Sequence, residues 1–192
     1  TNNGATQTVE VAGATNGGKG RISGFEIAYQ QFFDFLPEGW NGLGVQFNYT
    51  YIDEKGSPNA NLAPDKPDST EGEGIAFDDL PLEGLSKDNL NLTLMYEKFG
   101  ITARLAYNYR SDYLLTTKDV ITSLPIFAEE RGQLDASVFY YWNEKWGVGL
   151  QATNLTDEWT ETSMQYNEEG DRATRAMFRN DVRYSFVLRG GF

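Results

Sequence analysis

Cysteine and histidine are both missing from the 192 residues. Without cysteine there is no disulfide, no thiol chemistry and no thiolate metal site. Without histidine the commonest general base and transition-metal ligand are gone. Ser-His-Asp and Cys-His sites cannot be built, so the chain reads as a non-enzyme with no expected metal or cofactor. No run of 18 apolar residues occurs, which excludes a transmembrane helix. The 16 Lys and Arg form no cluster against 28 Asp and Glu, and at a net charge of −12 nucleic acid is not an expected partner. The opening TNNGATQ carries no signal-peptide pattern, so a leader has been removed or the chain is a piece of something longer.

What is present is alternation with period two, repeated along the chain. Val182, Tyr184, Phe186, Leu188, Gly190 and Phe192 share one face, opposite Arg183, Ser185, Val187, Arg189 and Gly191. Segments 19–36, 43–56, 87–97, 101–116, 131–143 and 148–166 repeat the pattern, with Leu92, Leu94, Leu105, Tyr107 and Val138 on apolar faces. A weaker segment, 6–15, rests on Val9 and Val11. These are eight antiparallel strands of an all-β chain. A mean hydropathy of −0.52 would argue for a soluble protein. A membrane barrel escapes that argument, because every second residue faces the lumen.

The links alternate in length. PEGWNG, EKFG and EKWG are short, whereas 57–86, 118–130 and 167–175 are longer; NGGK at 16–19 is a tight hairpin and the exception. Outer-membrane barrels alternate short periplasmic turns with long extracellular loops. That places 37–42, 97–100 and 144–147 in the periplasm and 57–86 outside. Trp40, Phe99 and Trp146 fall in the turns, with Tyr96 and Trp142 just before them, and Tyr51, Tyr109, Tyr113 and Trp159 near the other strand ends. Two aromatic belts about ten residues apart suit the two bilayer interfaces, with Trp40, Trp142 and Trp146 as anchors.

A soluble sandwich or lipocalin-like barrel would turn the apolar face into a core. The opposite face carries Glu26, Gln46, Asn48, Asn89, Asn91, Arg104, Asn108 and Arg110 on long strands, which favours the membrane barrel. The expected class is an antiparallel transmembrane β-barrel segment of about eight strands, one barrel domain spanning 1–192.

Loop 57–86 sets Asp65, Asp68, Glu71, Glu73, Asp78, Asp79 and Glu83 against Lys66, a net −6 that is half the chain's charge. Oxygen ligands there suit ligand or hard-cation recognition, but the spacing matches no calcium-loop pattern, and a solvated loop explains the charge equally. Glu26, Arg104, Arg110, Asp135, Arg183 and Arg189 face the lumen, where charges more often pair with one another or with a plug than bind substrate. Their four arginines against two acids cannot be satisfied in the narrow column of a closed eight-strand barrel, so 6–15 and 177–192 are expected not to pair with each other.

GRISGFEIAYQQ followed by VQFNYTYID, then SKDNLNLTLMYEKFGITARLAYNYRSDY, resembles the late strands of TonB-dependent outer-membrane receptors. VGLQATNLTDEW is similar to that family's penultimate strand, with Asn-Leu-x-Asp at Asn154, Leu155 and Asp157, and YSFVLRGGF to its closing strand. The resemblance covers about 19–192. It implies the last strands of a 22-stranded barrel in the outer membrane of a Gram-negative bacterium, the wall of a gated pore importing a siderophore, vitamin or carbohydrate. It implies as partners a plug domain and earlier strands not present in this chain, TonB acting through the missing N-terminal part, membrane lipid and lipopolysaccharide, and the barrel-assembly machinery, which would read Tyr184, Phe186, Leu188 and Phe192. A small self-contained eight-stranded barrel with a structural or adhesion role is the alternative. A lipase or protease barrel is weakest, given no histidine.

Overall fold

The computed structural model describes residues 20–55, 77 and 80–191. Alternating stretches rich in Leu, Val, Ile, Tyr and Phe become strands, and the described residues contain no helix. The strands are β1 (Arg21–Phe32), β2 (Leu43–Lys55), β3 (Asp88–Lys98), β4 (Ile101–Arg110), β5 (Tyr113–Thr116), β6 (Ile126–Ala128), β7 (Arg131–Tyr141), β8 (Trp146–Thr153), β9 (Trp159–Gln165), β10 (Arg172–Arg179) and β11 (Arg183–Gly190). All pairings are antiparallel.

Seven strands form one open sheet, β1-β2-β3-β4-β7-β8-β11, and four form a second, β10-β9-β6-β5. The second order repeats part of the first. β5 continues β4 past Ser111 and Asp112, β6 leads into β7 past Glu129 and Glu130, β9 continues β8 past 154–158, and β10 leads into β11 past 180–182. Four wall strands thus run beyond the main sheet, break, and pair again. The expected closing strand 177–192 is therefore two strands, starting at Arg172 and broken at 180–182. Loop 118–130 contains β6, and loop 167–175 ends where β10 begins. Seven wall strands are described; segment 6–15, hairpin 16–19 and Phe192 lie outside the described residues.

The ladder fixes the faces. Leu94 is opposite Leu105, Leu105 opposite Ala136, Val138 opposite Leu150, and Leu150 opposite Phe186. On β1 and β2, Phe25, Ile27 and Tyr29 oppose Tyr51, Tyr49 and Phe47. These residues form one apolar face. Tyr184, Phe186 and Leu188 remain 62–75% exposed, an apolar surface that only a nonpolar surrounding would cover.

Three short connections share one end of the sheet: 33–42, 99–100 and 142–145. Trp40 in the first is 65% exposed. The third turn is built on Asn143, whose Oδ1 accepts from Lys145 N and Trp146 N at 2.9 and 2.8 Å. It is one step earlier than EKWG suggests: Trp146 opens β8 on the apolar face, opposite Gly190. The second turn is a two-residue hairpin with φ of 56° at Phe99 and 76° at Gly100. Both central residues of this turn type need positive φ, which suits Gly100 and strains a phenylalanine. Phe99→Asn should therefore raise unfolding stability in detergent by roughly 1 kcal/mol. In a bilayer the gain should shrink, because Phe99 is 60% exposed and its ring is then lost from the interface. No gain in detergent would show that the strain is relieved elsewhere.

The second sheet has its own small core. Leu114, Phe127, Phe77 and Leu80 are buried together, with Leu124 packed against them. Gly84 N donates to Leu114 O at 2.8 Å, and Leu82 N to Glu54 Oε2 at 3.0 Å. The end of the acidic loop is thus tied down rather than solvated throughout.

Candidate functional site

The polar face is continuous across the ladder. Glu26 opposes Thr50, Thr50 opposes Asn89, Asn89 opposes Arg110, and Arg110 opposes Arg131. One step toward the turns, Asn48, Asn91, Asn108 and Gln133 follow one another. The expected inward residues Glu26, Arg104, Arg110, Asp135, Arg183 and Arg189 all lie on this face.

Near the turns the face carries two aromatic rings among its charges. Phe139 and Tyr141 stack at 6.3 Å and 15°, and their rings lie over Gly149 and Gly147. A Cβ at Gly149 would come within 2.2 Å of the Phe139 ring. Glycine there lets the ring lie flat on the backbone.

The charges pair less than expected. Arg104 reaches Glu97 at 3.3 Å, Asn48 Nδ2 donates to Glu26 Oε1 at 2.6 Å, and Asp135 Oδ1 accepts from Gln133 Nε2 and Asn154 N, each at 2.9 Å. Arg189 meets the Tyr141 hydroxyl at 3.4 Å. No carboxylate among the described residues lies at ion-pair distance from Arg110, Arg131, Arg183 or Arg189.

At the junction of the two sheets this face opens into a cavity of about 490 Å³, lined by Asn89, Asn91, Asn108, Tyr109, Arg110, Tyr113, Ala128, Glu129, Arg131 and Gln133. That size is typical of small-ligand pockets. Arg110 is held in place: its guanidinium lies 3.8 Å from the centre of the Tyr113 ring, Nε donates to Ser86 Oγ at 2.5 Å and Nη2 to Gly84 O at 2.8 Å. Tyr113 therefore leaves the lipid belt to which its position assigned it. Arg131 Nη2 donates to Gln133 Oε1 at 3.2 Å and Nη1 to Thr160 Oγ1 at 3.4 Å. Glu129 is engaged elsewhere, accepting from Ser163 Oγ and lying 3.8 Å from Arg172. Arg172 also packs on Phe127 at 3.6 Å and pairs with Asp112 at 2.7 Å.

A second polar centre holds the break between β8 and β9. Asn154, 4% exposed and at φ 58°, accepts from Glu158 N at 2.8 Å and donates to the carbonyls of Glu158 and Asn180. Asp157 pairs with Arg179 at 2.5 Å, and that contact holds the Asp157 carboxyl below its ordinary range. Thr156 Oγ1 donates to Gly132 O, and Gly132 N donates to Glu158 Oε1. The Asn-Leu-x-Asp stretch is thus a knot joining β7, β8 and the β10–β11 break.

Arg131, Gln133 and Tyr113 were missed as site residues. Parity would have found the first two, since Arg131 and Gln133 follow the alternation that places Asp135 on the polar face. Of the loop candidates, Asp65, Asp68, Glu71, Glu73, Asp78 and Asp79 lie outside the described residues. Glu83 is described and accepts from Thr117 N at 2.6 Å.

No curated protein and no solved structure matches the chain. The family model for the β-barrel of TonB-dependent-receptor-like proteins matches residues 1–155. With alternation, open antiparallel sheet and family model in agreement over most of its length, the chain belongs to the β-barrel family of TonB-dependent receptors.

Proposed function

We propose that the chain is part of the wall of a gated outer-membrane pore that imports a scarce solute, of the siderophore, vitamin or carbohydrate class, with energy delivered through TonB. The observation that carries this reading is the two-sided wall: an apolar face from Phe25 to Phe186, backed by a polar face with a cavity and with guanidiniums that have no carboxylate partner among the described residues. In hydrocarbon every backbone group needs a partner, so a spanning sheet must close. β1 and β11 each pair on one side only among the described residues, which fits a wider barrel completed by further strands. A plug, bilayer lipid, lipopolysaccharide and the assembly machinery complete the set of partners. Trp40, Trp142 and Trp146 are the interface anchors, and Tyr184, Phe186, Leu188 and Phe192 the assembly signal.

Cells carrying the receptor should lose uptake of its solute when TonB is removed; uptake that persists would overturn the reading. Orientation has a separate test, made in a receptor whose cysteines outside this chain, itself free of cysteine, are replaced by serine. A cysteine at Val120, a residue 97% exposed at the loop end, should react with a membrane-impermeant maleimide in intact cells. A cysteine at Glu144 should react only after lysis. The opposite pattern would put 57–86 in the periplasm.

A further inference from the structure

We propose that the cavity at the junction of the two sheets is a subsite for a hydroxyl-rich solute that carries an oxyanion, such as an acidic saccharide. The proposal rests on the pore reading, which makes this face solute-accessible.

Two guanidiniums at one level carry the argument. Arg110 and Arg131 are direct partners in the β4–β7 ladder, and like charges placed opposite each other are unfavourable. Four other arginines have a carboxylate partner: Arg104 with Glu97, Arg172 with Asp112, Arg175 with Asp119, and Arg179 with Asp157. Arg21, Arg183 and Arg189 have none among the described residues, and none of those three faces a second arginine across the ladder. Here no described carboxylate answers either guanidinium, and the one acid in the lining, Glu129, is committed to Ser163 and Arg172. An incoming oxyanion would relieve the repulsion. The guanidinium fork matches a two-oxygen anion, and Arg110 is already oriented by Tyr113, Ser86 and Gly84, so less freedom is lost on binding.

The hydroxyl half of the ligand follows from the amides. Asn91 and Asn108 are cross-strand partners one step from the arginines, and neither makes a side-chain hydrogen bond among the described residues. Each amide offers both a donor and an acceptor, which suits hydroxyls that do both. Arg110 and Arg131 bind the anionic group; Asn91 and Asn108 position the ring hydroxyls.

The test is saturation-transfer NMR on the full receptor in detergent micelles, with galacturonate, galactose and inorganic phosphate as probes. Galacturonate should bind and galactose should not. Arg131→Gln should weaken galacturonate binding about tenfold or more, and Arg131→Lys should restore part of it. Heat-modifiable gel migration checks that each variant still folds. Equal signals from galacturonate and galactose would overturn the oxyanion assignment, as would unchanged binding in a folded Arg131→Gln receptor. Phosphate displacing galacturonate at equal concentration would overturn the hydroxyl assignment and make the ligand free phosphate. TonB-dependent uptake with no galacturonate binding would sink the subsite and leave the transport reading. Galacturonate binding without TonB-dependent uptake would do the reverse.

Discussion

Arginine in place of Leu105 or Phe186 should destabilise the folded barrel by about 2–4 kcal/mol, the cost of placing that side chain against mid-bilayer hydrocarbon. Leu105 is mid-strand in β4, between Leu94 and Ala136 on the apolar face. Phe186 is mid-strand in β11, opposite Leu150 and 71% exposed. The control is Asn108, three residues from Leu105 on the same strand but on the polar face, where a further guanidinium meets water. Asn108→Arg should change stability by less than about 1 kcal/mol. Reversible unfolding of the receptor in lipid vesicles, followed by guanidinium titration, measures both. Equal costs at Leu105 and Asn108 would mean that the faces are assigned wrongly.

The face assignment was legible because it needs only parity. Once Leu105 is known to face one way, Arg104 and Ala106 must face the other, and the ladder carries that choice across every strand. What parity lacks, namely which way the apolar face turns, came from the polar residues opposite it, Glu26, Gln46, Asn48, Asn89, Asn91, Arg104, Asn108 and Arg110 on long strands, and the family resemblance agreed with that choice. Breaks in the strands were not legible. Ser111–Asp112 and 180–182 interrupt alternation for so few residues that each reads as continuing strand. β6 was hidden for the opposite reason. Pro125, Ile126 and Phe127 are all buried, so the segment shows no alternation and reads as loop. The strain at Phe99 leaves no trace in composition, since only backbone angles reveal it. Asn154 was visible as a family signature, while its role appeared only with its hydrogen bonds. The arginine pair was half legible: Arg110 stood out as an inward charge, but its neighbour across the ladder depends on a register that sequence spacing alone does not fix.

Asn154 carries the other large expected effect. Asn154→Ala removes an acceptor for Glu158 N and donors to two carbonyls at a site 4% exposed. Orphaning buried polar groups costs about 1–3 kcal/mol. Alanine at a positive φ adds roughly 1 kcal/mol more, for a local loss of about 2–4 kcal/mol. Asn154→Gly separates the two terms, since glycine tolerates the backbone but still loses the hydrogen bonds, and it should be the milder change. Hydrogen exchange in the full receptor reads this directly: amides of 155–165 and 172–180 should exchange faster, while those of β2 and β3 should not change. Acid should act on the same region through Asp157. Its folded pKa is lowered, first by the hydrogen bond from Arg179. The stabilising contact is therefore fully present above the ordinary carboxylate pKa and is lost as pH falls through the lowered folded value. Exchange at 155–158 in the unaltered chain should accelerate only in that acid window, and Asp157→Asn should abolish the acceleration. If Asn154→Ala leaves exchange at 155–180 unchanged, the break between β8 and β9 is held by something other than this knot.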